Sequence, residues 1–156
     1  MMLFIVLLDV ALLGLGVYNL YWQGQIDLRG GYATFQLILA AFFTVWFLAS
    51  GTANLTVIIF YAAFITLTVM AGTTGLTKTR VVAAGIVNRM FPYAKMTGIS
   101  LTPVSLPDGR ELVVAAFGIS AHRAVRITFK TDLQSLVNTL RPRVPESVPI
   151  TVQQVQ

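Results

Sequence analysis

This chain of 156 residues has no cysteine and one histidine, His122. The first absence removes disulfides, thiolate nucleophiles and cysteine-ligated metal sites together. The second leaves no set of imidazoles to hold a metal ion. It also gives any nucleophile–base–orienter set a single imidazole to draw on. His122, beside Arg123 at the start of a predicted strand, reads as a solvated edge residue. No glycine-rich phosphate loop or zinc-protease signature occurs, and "AAGIVNR" (83–89) is not a phosphate-binding motif. Basic residues interleaved with stacking aromatics are missing, which argues against nucleic acid. The expectation is a protein without catalysis, cofactor, metal or nucleic-acid partner. Charge is scarce as well, at 11 % of residues, against about 25 % in an ordinary soluble domain.

Apolar side chains fill the space that charge leaves: 56 % of residues are hydrophobic, and the mean hydropathy is +0.76. The few charges are unevenly placed. Residues 1–77 carry only Asp9, Asp27 and Arg29, while the other ten Lys and Arg lie between Lys78 and Arg143. This asymmetry divides the chain into a hydrophobic N-terminal half and a basic C-terminal half.

Residues 3–22, 32–50 and 55–70 are apolar runs near the ~20 residues that cross a bilayer, and the third is the shortest. The first lacks the basic leader of a signal peptide and contains an acid, so it reads as a retained helix. "YNLYW" (18–22) closes the first run, and Tyr32 and Phe35 open the second. Tyr and Trp favour membrane interfaces, where one end of the ring is dry and the other wet. Short connections, "QGQIDLRGG" (23–31) and "GTAN" (51–54), make consecutive helices antiparallel. The expectation is a compact bundle of three transmembrane helices over residues 1–72. With three spans, Arg29 and the basic C-terminal half fall on one side, which the positive-inside bias places in the cytoplasm. That puts the N-terminus outside.

Asp9, in "FIVLLDVALLG", is a candidate intramembrane contact. Acids inside spans are costly and usually face a bundle interior, a cavity or a partner. Two readings stand: an ion or proton contact or a pairing with a basic residue of another subunit, or an acid close enough to the outer surface to reach water or headgroups. None of the three spans holds Lys, Arg or His, so any charged partner belongs to another molecule. Gln36 is the second intramembrane candidate and, with nearby threonines, fits interhelical hydrogen bonding.

Beyond residue 72 the pattern changes. "TRVVAAGIV" (79–87) reads as a first strand, although "VVAAGIV" could equally continue a helix. "AKMTGISLTPVSL" (94–106) reads as a strand interrupted near Pro103. "PDG" (107–109) is a turn, since Pro presets one φ, Asp caps its own backbone and Gly accepts positive φ. In "RAVRITFK" (123–130) Val125, Ile127 and Phe129 share one face, Arg126 and Lys130 the other. Leu133, Leu136, Val137 and Leu140 then recur at helical spacing, with Thr131 or Asp132 as N-cap and Pro142 as stop. The predicted module, residues 73–141, is a small α+β domain of about four antiparallel strands and one amphipathic C-terminal helix, and as an anchored accessory module residues 73–156 are expected to fold alone. Residues 142–156 read as a proline-containing extended tail.

The order "GLTKTRVV", "FPYAKMTGISL", "AVRITFK" and "DLQSLVNTL", over about residues 74–141, resembles small membrane proteins of lactobacilli and related Gram-positive bacteria. These pair N-terminal spans with a short bacterial pleckstrin-homology-like domain and have no assigned function. The resemblance implies a multi-pass protein of a bacterial plasma membrane, with a fold of that kind in the cytoplasm. A full pleckstrin-homology sheet has seven strands, so about four leave it either truncated or completed by another copy or a partner.

The functional expectation is a non-enzymatic, membrane-anchored accessory or regulatory protein. Its module binds a protein partner or the inner leaflet, with Lys78, Arg80, Arg89, Lys95, Arg126 and Lys130 as candidate contacts to a partner or to anionic lipid. The alternatives are a homo-oligomer, a small subunit of a larger transporter or respiratory complex and, by resemblance alone, a bacteriocin self-immunity protein.

Overall fold

The computed structural model describes residues 2–86 and 90–153. Among the described residues the fold is mixed, with four α-helices and two four-stranded sheets. It divides into two compact units. The first comprises residues 1–25, 32–73 and 84–87, the second residues 26–31, 74–83 and 88–156.

The first unit is helical: α1 (Met2–Gly24), α2 (Thr34–Ser50) and α3 (Leu55–Met70). Asn54 caps α3 by accepting the Thr56 amide at 3.0 Å, and Gly51 ends α2 at φ +62°, where a Cβ would be strained. α3 packs against both α1 and α2. Helices form over all three predicted stretches, but they are not equal. Among the described residues α1 alone is long and apolar enough to cross a membrane. α2 and α3, with 17 and 16 residues, each reach about 25 Å at 1.5 Å per residue, short of a hydrocarbon core of about 30 Å.

Burial in this unit is inverted relative to a water-soluble bundle. Leu3, Trp46 and Leu55 are 74 %, 61 % and 70 % exposed, whereas Asp9, Asn19 and Thr68 are 7 %, 3 % and 0 % exposed. The covered positions of α1 include Ile5, Asp9, Leu12, Gly16, Asn19 and Gln23. Their alternating spacing of four and three marks one helix face. Asn19 and Thr68 satisfy themselves within their helices, donating to the Leu15 and Phe64 carbonyls at 3.0 and 2.8 Å. Gln23 donates across to the Met70 carbonyl at 3.0 Å.

The second unit contains eight strands: β1 (Leu28–Arg29), β2 (Gly75–Leu76), β3 (Arg80–Val82), β4 (Met90–Pro92), β5 (Gly98–Ser105), β6 (Glu111–Ser120), β7 (Arg123–Phe129) and β8 (Ile150–Val152). They form two sheets, ordered β1-β2-β3-β4 and β7-β6-β5-β8. A hydrogen bond of 2.6 Å from the Gly31 amide to the Thr128 carbonyl links the segment after β1 to β7. The predicted β5–β6 hairpin forms as expected. Gly109 takes φ +79° and donates to the Leu106 carbonyl at 3.0 Å. The alternation read in β7 also holds, with Ile127 and Phe129 buried, Arg126 and Lys130 exposed.

Several expectations are corrected. About four strands were predicted in residues 73–141, and the described residues there hold six, because β2 and β4 have only two or three residues each; β1 and β8 lie outside that range. β5 runs unbroken through Pro103, which pairs with Val113. β8 flanks only Ile99–Leu101, so Pro103 sits where β5 is an edge and its missing N–H costs no ladder bond on that side. The stretch 79–87 holds only the three-residue β3, and Val87 lies outside the described residues. Residues 142–156 are not a plain tail. Val144 and Val148 enter the core, the Ile99 amide donates to the Pro149 carbonyl at 2.9 Å, and β8 runs parallel to β5.

One core closes this unit. Leu76 and Val81 of the first sheet meet Ile99, Leu101, Val113, Ala115, Phe117, Ile127 and Phe129 of the second. α4 (Leu133–Leu140) adds Leu136 and Leu140, both 0 % exposed. Asp132 caps α4 as predicted, accepting the Ser135 amide at 2.9 Å, and that hydrogen bonding holds its carboxyl below the usual carboxylate range.

Candidate functional site

The predicted basic contacts separate into two groups within the second unit. Lys78 is exposed in the β2–β3 turn, and Arg80 is half-buried on β3. Lys95 is exposed on the 3₁₀ turn Tyr93–Lys95 that follows β4. The Arg80–Pro92 pairing and a 3.2 Å hydrogen bond from the Tyr93 amide to the Thr79 carbonyl bring these two segments together. Arg126, on the outward face of β7, and Lys130, exposed just past its end, form the second group. Arg89 lies outside the described residues. His122 is exposed in the turn between β6 and β7, rather than within a strand.

A cluster that the sequence reading missed ties three distant segments of this unit. The Arg143 guanidinium reaches Asp27 Oδ2 at 3.2 Å and donates to the Thr77 carbonyl at 3.1 Å. Tyr93 Oη donates to the same carbonyl at 3.0 Å. Nothing local could have announced it, because the partners lie 66 and 16 residues from Thr77 in the chain. Burial pushes the Tyr93 phenol up to about 12, with the nearby Arg143 charge partly opposing. The unfolded chain releases this proton near pH 10, and the folded unit holds it to about 12. A raised folded value means stability that is complete below pH 10 and lost as pH rises through that window. Alkaline unfolding followed by circular dichroism should therefore steepen above pH 10. Tyr93→Phe should flatten that part of the profile while costing about 1 kcal/mol at neutral pH for the lost hydrogen bond; an unchanged alkaline profile would contradict the assignment.

In the first unit, Asp9 and Gln36 share one property: Asp9 Oδ1 and Gln36 Oε1 are buried and accept no hydrogen bond among the described residues. The structure does not bring them together. Gln36 stands at the start of α2, near the Gly24 end of α1, whereas Asp9 lies 15 residues, about 22 Å of helix, from that end. Unpartnered polar atoms of this kind are rare in folded interiors and cost about 1–3 kcal/mol each. The polar side chains on the covered face of α1 escaped the sequence reading except for Asp9. Their signal, the four–three spacing of Asp9, Leu12, Gly16, Asn19 and Gln23, was present.

No family model, no curated protein and no solved structure matches this chain.

Proposed function

We propose that this chain is a membrane-anchored accessory protein that binds rather than catalyses: the helical unit anchors it, and the β-rich unit stands at the cytoplasmic face. The observation that carries this reading is the inverted burial of α1–α3, with Leu, Phe and Trp outward and Asp9, Asn19 and Thr68 inward. In water such a surface would aggregate; in lipid it is the stable arrangement, because hydrocarbon solvates the apolar exterior. α2 is at the lower end of spanning lengths and α3 one residue below it, a shortfall that a locally thinned bilayer accommodates. β1, from between α1 and α2, pairs with β2, which follows α3. An α1 crossing with an α2–α3 hairpin crossing twice returns the chain to that same side. The charge bias makes that side cytoplasmic, where Lys78, Lys95, Arg126 and Lys130 can meet anionic lipid or an acidic partner surface.

The absence of cysteine makes a direct test available. In cells expressing Ala53→Cys, a membrane-impermeant maleimide should label the intact protein from outside. His122→Cys should react only after the membrane is opened. Labelling of His122→Cys in intact cells, or release of the wild-type protein by alkaline carbonate, would overturn the reading.

The unpartnered Asp9 oxygen favours a more specific role as a subunit of a larger membrane complex.

A further inference from the structure

A groove of about 400 Å³ runs between α1 and α3, with a wall of Leu12, Leu13 and Gly16 and a facing wall that includes Ala62, Ala63 and Thr66. Gly16, Ala62 and Ala63 in its lining are small, and small residues are what let helix backbones approach closely in lipid. Asp9 stands one turn beyond the groove's end, three and four residues before Leu12 and Leu13 and hence on the same side of α1. Asp9 is 93 % covered as a residue, and its buried Oδ1 has no partner among the described residues.

Two independent features thus coincide: an apolar groove shaped for a helix, and an acid without a countercharge at its end. Resting on the membrane-anchored reading, we propose that the groove receives a transmembrane helix of a different protein, bearing one Lys or Arg at the depth of Asp9. A second copy of this chain does not fit. Residues 1–28 and 30–77 contain no Lys, Arg or His, and Arg29 lies in β1, outside all three helices. A homodimer through this groove would bring acid towards acid. An acid–base pair formed within lipid offsets the cost of each charge there, which gives both specificity and orientation.

The test uses the full chain in lipid vesicles with a donor fluorophore, and a Leu/Ala transmembrane peptide with an acceptor. One peptide carries a single lysine about 10 Å from its outer end, matching the depth of Asp9 in α1; the control has leucine there. Energy transfer should show the lysine peptide associating about tenfold more tightly than the control. Asp9→Asn, nearly isosteric, should remove that preference, and Asp9→Lys should transfer it to a peptide carrying aspartate. Equal binding of both peptides, or a lysine preference that survives Asp9→Asn, overturns the proposal. So does self-association of labelled wild-type chains that the lysine peptide does not displace, since a second copy then fills the groove. Carbonate extraction of the same vesicles separates the two ideas. Protein that stays in the bilayer without discriminating between peptides refutes the docked helix alone, and protein that washes out refutes the membrane anchor itself.

Discussion

A fragment of residues 73–156 should show no cooperative unfolding transition, although the sequence alone marks it as a self-sufficient domain. The fragment lacks β1 and everything β1 organises. The Asp27 and Gly30 amides donate to the Leu76 and Thr74 carbonyls at 2.9 Å each, and the Gly31 amide donates to Thr128. Thr74 Oγ1 donates to the Gly31 carbonyl at 2.8 Å, Asp27 pairs with Arg143, and Leu28 packs on the core. Each hydrogen bond contributes roughly 1 kcal/mol net, and covering most of a leucine contributes about 1–2. Together they amount to several kcal/mol, against a total of roughly 5–15 for an ordinary domain. The loss also bares the edge of a two-residue strand, β2.

A matched chain, with residues 26–31 joined to 74–156 by a short Gly/Ser linker, should restore a sigmoidal urea transition. The splice is geometrically easy because Gly30 is hydrogen-bonded directly to Thr74. Equal stability of the two fragments would show that β1 is an ornament on an already complete fold.

In that linked chain, Phe117→Ala should produce the largest single-residue loss, about 3–5 kcal/mol, enough to leave much of the population unfolded. Phe117 is 0 % exposed and sits mid-strand, paired with Ile99 on one side and Val125 on the other. It is held between two β-strands of the same sheet, so the backbone cannot easily collapse into the cavity an alanine would leave. Val114, three positions earlier on the outward face of the same strand, supplies the control. Val114→Thr should change stability by less than about 1 kcal/mol. The urea midpoints of the two variants measure the contrast; similar shifts would mean that the sheet's two faces are not differentiated as the burial pattern has them.

Much of this protein was legible in its sequence because the relevant physics is local. Hydrophobic run length announced the helices. The Pro107–Gly109 turn announced the β5–β6 hairpin, two-residue periodicity announced the inward face of β7, and an N-cap followed by leucines at helical spacing announced α4. Asp9 stood out for a similar reason, as an acid where the surrounding ten residues are apolar.

The remainder is settled by pairing between residues far apart in the chain. A two-residue strand such as β1 or β2 has no periodicity to detect; it is a strand only because a neighbour completes its hydrogen bonds. The same holds for β8, whose prolines and polar flanks read as a tail until β5 supplies the partner, and for Arg143, which finds Asp27 and Thr77 only in three dimensions. Helix length followed the same division. Composition marked three apolar stretches, but where α2 ends and α3 begins was decided by the left-handed Gly51 and the Asn54 cap. The sequence by itself therefore determined which segments are apolar, which turn and which half of the chain carries positive charge. Only the tertiary structure decided that the link after α1 and the C-terminal segment belong to the β-rich unit, because backbone hydrogen bonds between distant segments leave no mark in the order of side chains.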